Sequence, residues 1–308
     1  MGFPGLQYLH PFDSYRARRV RHELARHLGF KLHHRDQELP GISLRSPKAA
    51  VLDSQLEIVH SLEYLQSLKN SWVIAQAIEV PPFALTPRAF LDWSIVTPMR
   101  WAVSGTLLAA REALRTGMAF SLTGGFHHAK PAQGEGFCIF SDIGYCIRTL
   151  HQEGAIATVA YVDLDAHQGN GVAMVFENEP QVRLFDVYNG EIYPRDPRAR
   201  ERLNASYPLR SGCQDAEYLN LVEGELPDFL DKQGQVDLLV YNAGNDVVED
   251  DLLGNLALTP DGVLRRDLFV IEQAQKRKIP LLFLPSGGYT RHSYHMISRT
   301  ILSALKRT

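Results

Sequence analysis

The chain has 308 residues, 45% of them hydrophobic and 22% charged, enough for one large domain (1–308) with a sizeable core. A net charge of −3 gives no electrostatic footprint for nucleic acid, which would need a basic domain or stripe. Three cysteines, Cys138, Cys146 and Cys213, form no CxxC pair and leave one over, which speaks for free thiols in a reducing cytoplasm.

The opening MGFPGLQYLHPFD lacks a signal peptide's basic and apolar runs, and Leu6 stands where a myristoylation signal needs Ser or Thr. No apolar stretch approaches the roughly 18 residues of a membrane span, so a soluble cytoplasmic protein is expected. Ser14 is placed to cap a helix from Tyr15 to Leu28, with Gly29 as its stop. Helical spacing recurs over Asp53–Leu68 and Pro98–Arg115, the latter closed by Gly117, while Pro81, Pro82 and Phe83 mark a loop.

From residue 119 short β-rich runs appear at Ala119–Leu122, Ile156–Val162, Val182–Val187, Asp237–Tyr241 and Pro280–Leu284. Helical stretches at Phe140–Glu153, Asp215–Leu230 and Gly262–Lys276 separate most of them. The alternation predicts an α/β fold, a central, mainly parallel sheet covered on both faces in three αβα layers. Polar, glycine-rich segments follow the strands: TGGFHHA the first, DLDAHQGNG the second, NAGND the fourth and PSGGY the fifth. Sites in such sheets form at the carboxyl ends of strands, so the four segments are expected to converge.

Asp165 and His167 are two apart and point to one side of an extended strand end. Asp246, at another strand end, is the best third ligand. Two carboxylates and an imidazole form a metal set with a position left open, as in a catalytic zinc site, though Fe²⁺ suits the same donors. His127 and His128 suit general acid and base duties if Gly124 and Gly125 let the backbone turn. Asp163 is expected to orient one histidine rather than bind the ion. Tyr289, after two glycines, could donate to an oxyanion.

These motifs, GGFHHA (124–129), GEGFCIFSD (134–142), DLDAHQGNG (163–171), NAGND (242–246) and SGGY (286–289), resemble the histone deacetylase superfamily within the arginase–deacetylase fold. The resemblance runs from LHPFD (9–13) almost to the C-terminus. DLDAHQGNG followed by DVYNGEIYP (186–194) is most similar to the class IV branch, which occurs in bacteria and animals.

The resemblance implies hydrolysis of the amide of an acylated lysine in a protein or peptide. Zn²⁺ on Asp165, His167 and Asp246 would polarise the carbonyl and activate water, His127 and His128 would handle protons, and Tyr289 would stabilise the oxyanion. It implies a substrate tunnel lined by Gly136, Phe137, Tyr193, Leu253, Gly254, Gly287 and Gly288, and a structural K⁺ near Asp163, Asp165, His167 and Asp186. Class IV further implies a long fatty acyl group, with Gly254 leaving room for it beside Leu252 and Leu253.

Two departures stand out. Asn170 replaces the aspartate of classical members, so His128 should be less basic than His127. Only eight residues precede Leu9, where the family normally opens with a strand, so either this edge strand is absent or the chain starts late.

The nearest rival is an amidohydrolase of acylated polyamines, favoured if acidic residues such as Glu79, Asp92 or Glu249 line the tunnel mouth. A two-metal ureohydrolase would need an aspartate where Gly169 stands. A silent binding module would lack a ligand or Tyr289, and none is missing. Arg16, Arg18, Arg19 and Arg21 form a charge run read as the solvated face of a helix rather than a nucleic-acid contact.

Overall fold

A computed structural model describes residues 13, 15–32, 36–39, 41–232 and 234–306. Ser14 and most of LHPFD, with the edge-strand expectation, lie outside them. A hairpin, β1 (Gln37–Leu39) and β2 (Ile42–Leu44), follows helix α1 (Arg16–His27). Helices α2 (Asp53–Leu56), α3 (Leu62–Ser67), α4 (Ser71–Ala77), α5 (Arg88–Leu91) and α6 (Thr97–Thr116) come next. The remainder alternates: β3 (Met118–Phe120), α7 (Asp142–Gln152), β4 (Val159–Asp163), α8 (Asn170–Val175), β5 (Val182–Asn189), α9 (Pro197–Arg202), β6 (Ala205–Leu209), α10 (Asp215–Lys232), β7 (Leu238–Asn242), α11 (Pro260–Lys276), β8 (Leu281–Leu284) and α12 (Ser293–Leu305).

The six strands β3–β8 form one parallel sheet in the order β3-β8-β7-β4-β5-β6. Strands β4 and β7 are buried at every residue, which is why they read as unbroken apolar runs rather than alternating ones. Alternate residues serve opposite faces. Tyr161, Leu184, Val240 and Leu282 join the core under α2–α9, whereas Val162, Phe185, Tyr241 and Phe283 join the core under α10–α12. Helix α1 packs on α12 through Val20, Leu24, Ile297 and Ile301. The three αβα layers are therefore as the alternation implies.

Three elements differ from the sequence expectation. The stretch 53–68 is two helices, because His60 turns inward between Lys130 O (3.0 Å) and the Ser141 backbone N–H (2.9 Å), and Ser61 Oγ starts a new helix by accepting from Tyr64 N–H. Burial pushes the His60 imidazole down to about 4, so it is the neutral ring those two bonds require. Pro81–Leu85 is a 3₁₀ helix rather than a loop. Strand β6 carries Pro208 and is only partly buried, so it gave neither alternation nor an apolar run; it lies at the sheet edge, where proline is tolerated.

The register sets the level of the strand ends. Asp163 of β4 is paired with Asp186 of β5 on one side and Asn242 of β7 on the other. Three polar side chains thus stand in a row at the carboxyl end of an otherwise apolar sheet. Among the described residues no helix is long and apolar enough to cross a membrane.

Candidate active site

The loops leaving β4 and β7 bring Asp165, His167 and Asp246 together, with one ligand atom from each lying within 4.8 Å of the others. His167 turns Nδ1 toward both carboxylates, 2.8 Å from Asp246 Oδ2 and 3.2 Å from Asp165 Oδ1. The outer oxygens are fixed by backbone donors: Ala166 N–H to Asp246 Oδ1 (2.9 Å) and Gly287 N–H to Asp165 Oδ2 (2.9 Å). Glycines make room for this. A Cβ at Gly287 would lie 2.5 Å from Asp246 Oδ2 and 2.6 Å from Asp165 Oδ2, and one at Gly244 2.2 Å from Asp165 Oδ2.

Four buried carboxylates (Asp163, Asp165, Asp186, Asp246) share this end of the sheet. Burial and the charge of Asp165 push Asp246 up; Asp165 is also penalised by burial, but the His127 and His167 rings outweigh that and hold it well below its usual range. Such a concentration of negative charge, with two oxygens and one nitrogen aimed at one point, fits a bound cation.

Asp163 stands outside this trio. Its Oδ2 accepts from Tyr161 Oη (2.5 Å) and pairs with His127 Nδ1 (2.8 Å), while Oδ1 accepts from Asn242 Nδ2 (3.0 Å) and the Asp165 N–H (3.2 Å). Burial alone would lower His127, but Asp163 and Asp165 outweigh it and lift the ring to about 9. His128 meets only the amide of Asn170, Nδ1 to Oδ1 at 2.8 Å, and burial with the neighbouring His127 and His167 rings holds it well below its ordinary value. The expected inequality of the two histidines is present.

Both rings reach the site because the backbone turns at Gly124 and Gly125, whose φ angles are +88° and +86°. The buried carboxylate of Asp142 ties this turn down by accepting from the Gly125 and Phe126 N–H groups and from Thr106 Oγ1. Helix α8 abuts the pair: Val172 N–H bonds His127 O, and a Cβ at Gly171 would lie 2.3 Å from the His128 carbonyl carbon.

Tyr289 stands beside the trio, its ring 6.4 Å from that of His167 and 5.8 Å from Phe137. Burial and the charges of Asp246 and Asp165 push its phenol well above its ordinary value, which keeps it a hydrogen donor. Tyr193 faces His128 at 5.3 Å, and a Cβ at Gly136 would strike the His128 ring. Gly136, Phe137 and Tyr193 therefore lie beside the His128 and Tyr289 rings. Gly288 adopts φ +136° between Gly287 and Tyr289.

Gly254 is a correction. Its Cβ would lie 1.9 Å from the Asp246 carbonyl oxygen, so the glycine lets its loop press against the loop that carries Asp246 and does not open room for an acyl chain. Leu253 is half-buried and Leu252 points to solvent at 87% exposure.

The second correction is Arg16. Only 3% exposed, it donates to the carbonyls of Ser286 (2.5 Å), Gly287 (3.2 Å) and Gly288 (3.5 Å), holding the loop that carries Tyr289. Arg18 and Arg19 are exposed as expected. Asp251, also unforeseen, accepts from the Tyr289, Leu253 and Gly254 N–H groups. Arg266, fully buried, pairs with Asp267 and donates to Leu164 O and Gly244 O, next to the ligand loops. For Arg16 the only sequence signal was its place on the apolar side of α1 with Val20 and Leu24, four and eight residues on.

The histone deacetylase domain model matches residues 10–305. The chain belongs to the histone deacetylase family. It is 38% identical over 302 residues to histone deacetylase 2 of Arabidopsis thaliana, covering 98% of this chain and 75% of that protein. It is 34% identical over 250 residues to an uncharacterised protein of Picosynechococcus, covering 79% of this chain and 78% of the other. Among solved structures, the HD domain of HDA15 superposes with a TM-score of 0.75 at 20% identity over 97% of this chain and 84% of that one. Acetylpolyamine aminohydrolase from Burkholderia pseudomallei gives 0.70 at 20% identity over 94% and 89%. At that identity the two structures establish the shared fold, and the family membership of this deacetylase-like chain rests on the domain match and the Arabidopsis relative.

Proposed function

We propose that this chain hydrolyses the amide bond of an N-ε-acyl-lysine in a cytoplasmic protein or peptide, as a class IV-like member holding Zn²⁺, or Fe²⁺, on Asp165, His167 and Asp246. The observation that carries the reading is the convergence of an unequal histidine pair and Tyr289 on that trio. When bound, the divalent ion supplies Lewis-acid polarisation of the acyl carbonyl. His128 gives its Nδ1 hydrogen to Asn170 Oδ1, so Nε2 takes the proton from the attacking water and later passes it to the departing amine. His127, held by Asp163, lies beside the developing negative charge, and Tyr289 donates its phenolic hydrogen to the oxyanion. A K⁺ ion beside the Asp163–His167 loop is supported by Asp186, buried, with Oδ2 on the Gly169 N–H and Oδ1 without a partner.

A second reading, an acylated polyamine as substrate, is favoured by Glu79. Its carboxylate lies near the Gly136 backbone and, with Glu135, close enough to Tyr193 to influence its phenol, so two acids stand beside residues bordering the site. Metal analysis with a panel of acetyl-lysine and myristoyl-lysine peptides and acetylated polyamines decides between the readings and sets the acyl length. Peptide hydrolysis is expected, slowed about 10²–10³-fold in kcat by Tyr289→Phe. Hydrolysis of polyamines alone would select the second reading, and turnover of nothing by metal-loaded protein would overturn both.

A further inference from the structure

Asn170 has a second partner. Its Nδ2 donates to Glu135 Oε1 at 2.5 Å while its Oδ1 faces His128 Nδ1 at 2.8 Å. An amide's oxygen and nitrogen are nearly equal in size, so its orientation is decided by what it meets. The Glu135 carboxylate can only accept, which fixes Nδ2 on its side and leaves Oδ1 for the histidine. Oδ1 can likewise only accept, so the single hydrogen of a neutral His128 ring must sit on Nδ1, with the lone pair on Nε2.

Glu135 is itself anchored. Lys130 Nζ lies 3.1 Å from Oε1 and 3.3 Å from Asp196 Oδ2, the Gln133 amide donates to Oε2, and its backbone is paired with Cys138 in both directions. Its side chain is about one-fifth exposed, whereas Asn170 is fully buried. Glu135 is thus a rigid, charged end to a chain running from the edge of the site to His128.

We propose that Glu135 is a positioning residue that orients Asn170 and thereby sets the tautomer of His128. This rests on His128 being the base of the proposed hydrolysis, but the tautomer can be read without turnover. Without Glu135 the amide is free to turn, presenting Nδ2–H to His128 Nδ1; the ring hydrogen then moves to Nε2 and the lone pair faces away from the water.

The test is ¹⁵N NMR of ring-labelled histidine in metal-loaded protein, with kinetics on the substrate the wild type turns over. Wild type should show His128 as the Nδ1–H tautomer. Glu135→Ala should show a mixture with Nε2–H and a kcat lower by about tenfold or more, within the roughly 10²–10⁴ that acid–base catalysis supplies. Glu135→Gln, whose own Oε1 can still accept from Asn170, should restore most of both. In the Asn170→Asp background, where no amide is left to orient, Glu135→Ala should not lower kcat further; that non-additivity separates orientation from general support of the loop. An unchanged Nδ1–H tautomer in Glu135→Ala, or additive losses in the double variant, would overturn the proposal. A wild type with the expected tautomer but no turnover would instead overturn the proposed function and leave the role of Glu135 standing.

Discussion

At the scale of single residues, the two histidines differ because their partners do. His127 has a carboxylate at 2.8 Å and His128 an amide at the same distance, in equally buried surroundings. A carboxylate stabilises the imidazolium by charge, whereas an amide oxygen does so only by one hydrogen bond. Asn170→Asp should therefore raise the pKa of His128. Because a base works only when neutral, the acid limb of kcat/KM should move to higher pH. A pH–rate profile superimposable on that of the wild type would refute this account. That the two residues form a pair with unequal partners was legible in HisHis, Asp163 and Asn170. The link from Asn170 to Glu135 was not, because 35 residues separate them and neither spacing nor periodicity reports such a contact.

At the scale of elements, the PSGGY loop illustrates how a site is held from behind. Arg16 on α1 reaches three successive carbonyls of that loop, while Asp251 takes the Tyr289 N–H from the other side. Arg16→Met would strip those carbonyls of their guanidinium donor in a buried place, although Gly287 O would keep its bond from the Asn245 N–H. The expected cost is about 2–3 kcal/mol in a urea melt, with kcat lower by roughly 10²-fold as Tyr289 drifts from its position. Arg18→Met, on the exposed side of the same helix, should stay within about 0.5 kcal/mol of wild type. Equal effects from the two substitutions would remove the distinction. The helix itself was readable from its spacing, and so was the strand character of β3, β4, β5, β7 and β8. Which of four clustered arginines turns inward depends on α12 and the loop after β8, both more than 260 residues away in sequence.

At the scale of the whole molecule, the parallel sheet gathers Asp163, Asp165, Asp186 and Asp246 at one end, with Asp163 level with Asp186 across β4 and β5. Their mutual repulsion in a buried setting opposes folding, and a cation relieves it. Removing metal with a chelator should lower the thermal midpoint. Restoring Zn²⁺ to about 100 times its dissociation constant should return roughly 2.7 kcal/mol by linkage. Asp246→Asn should lose most of that metal-dependent gain. A midpoint indifferent to chelator and metal would exclude Asp165, His167 and Asp246 as a cation site.

By itself the sequence determined the layer order of the fold, the strand ends that carry chemistry, and the grouping of Asp165, His167 and Asp246 with two histidines and a tyrosine. These are local matters: a strand–glycine–polar segment states both its conformation and its reactive groups within ten residues. Only the tertiary structure decided the purposes of Gly254, Arg16 and Glu135. A glycine reads as empty space until a neighbouring loop is seen to occupy it. A surface arginine and a buried one look alike when the carbonyls they serve lie at the other end of the chain. An acid beside a tunnel motif gains its role only when α8 brings Asn170 against it, because hydrogen-bond direction depends on three-dimensional contact.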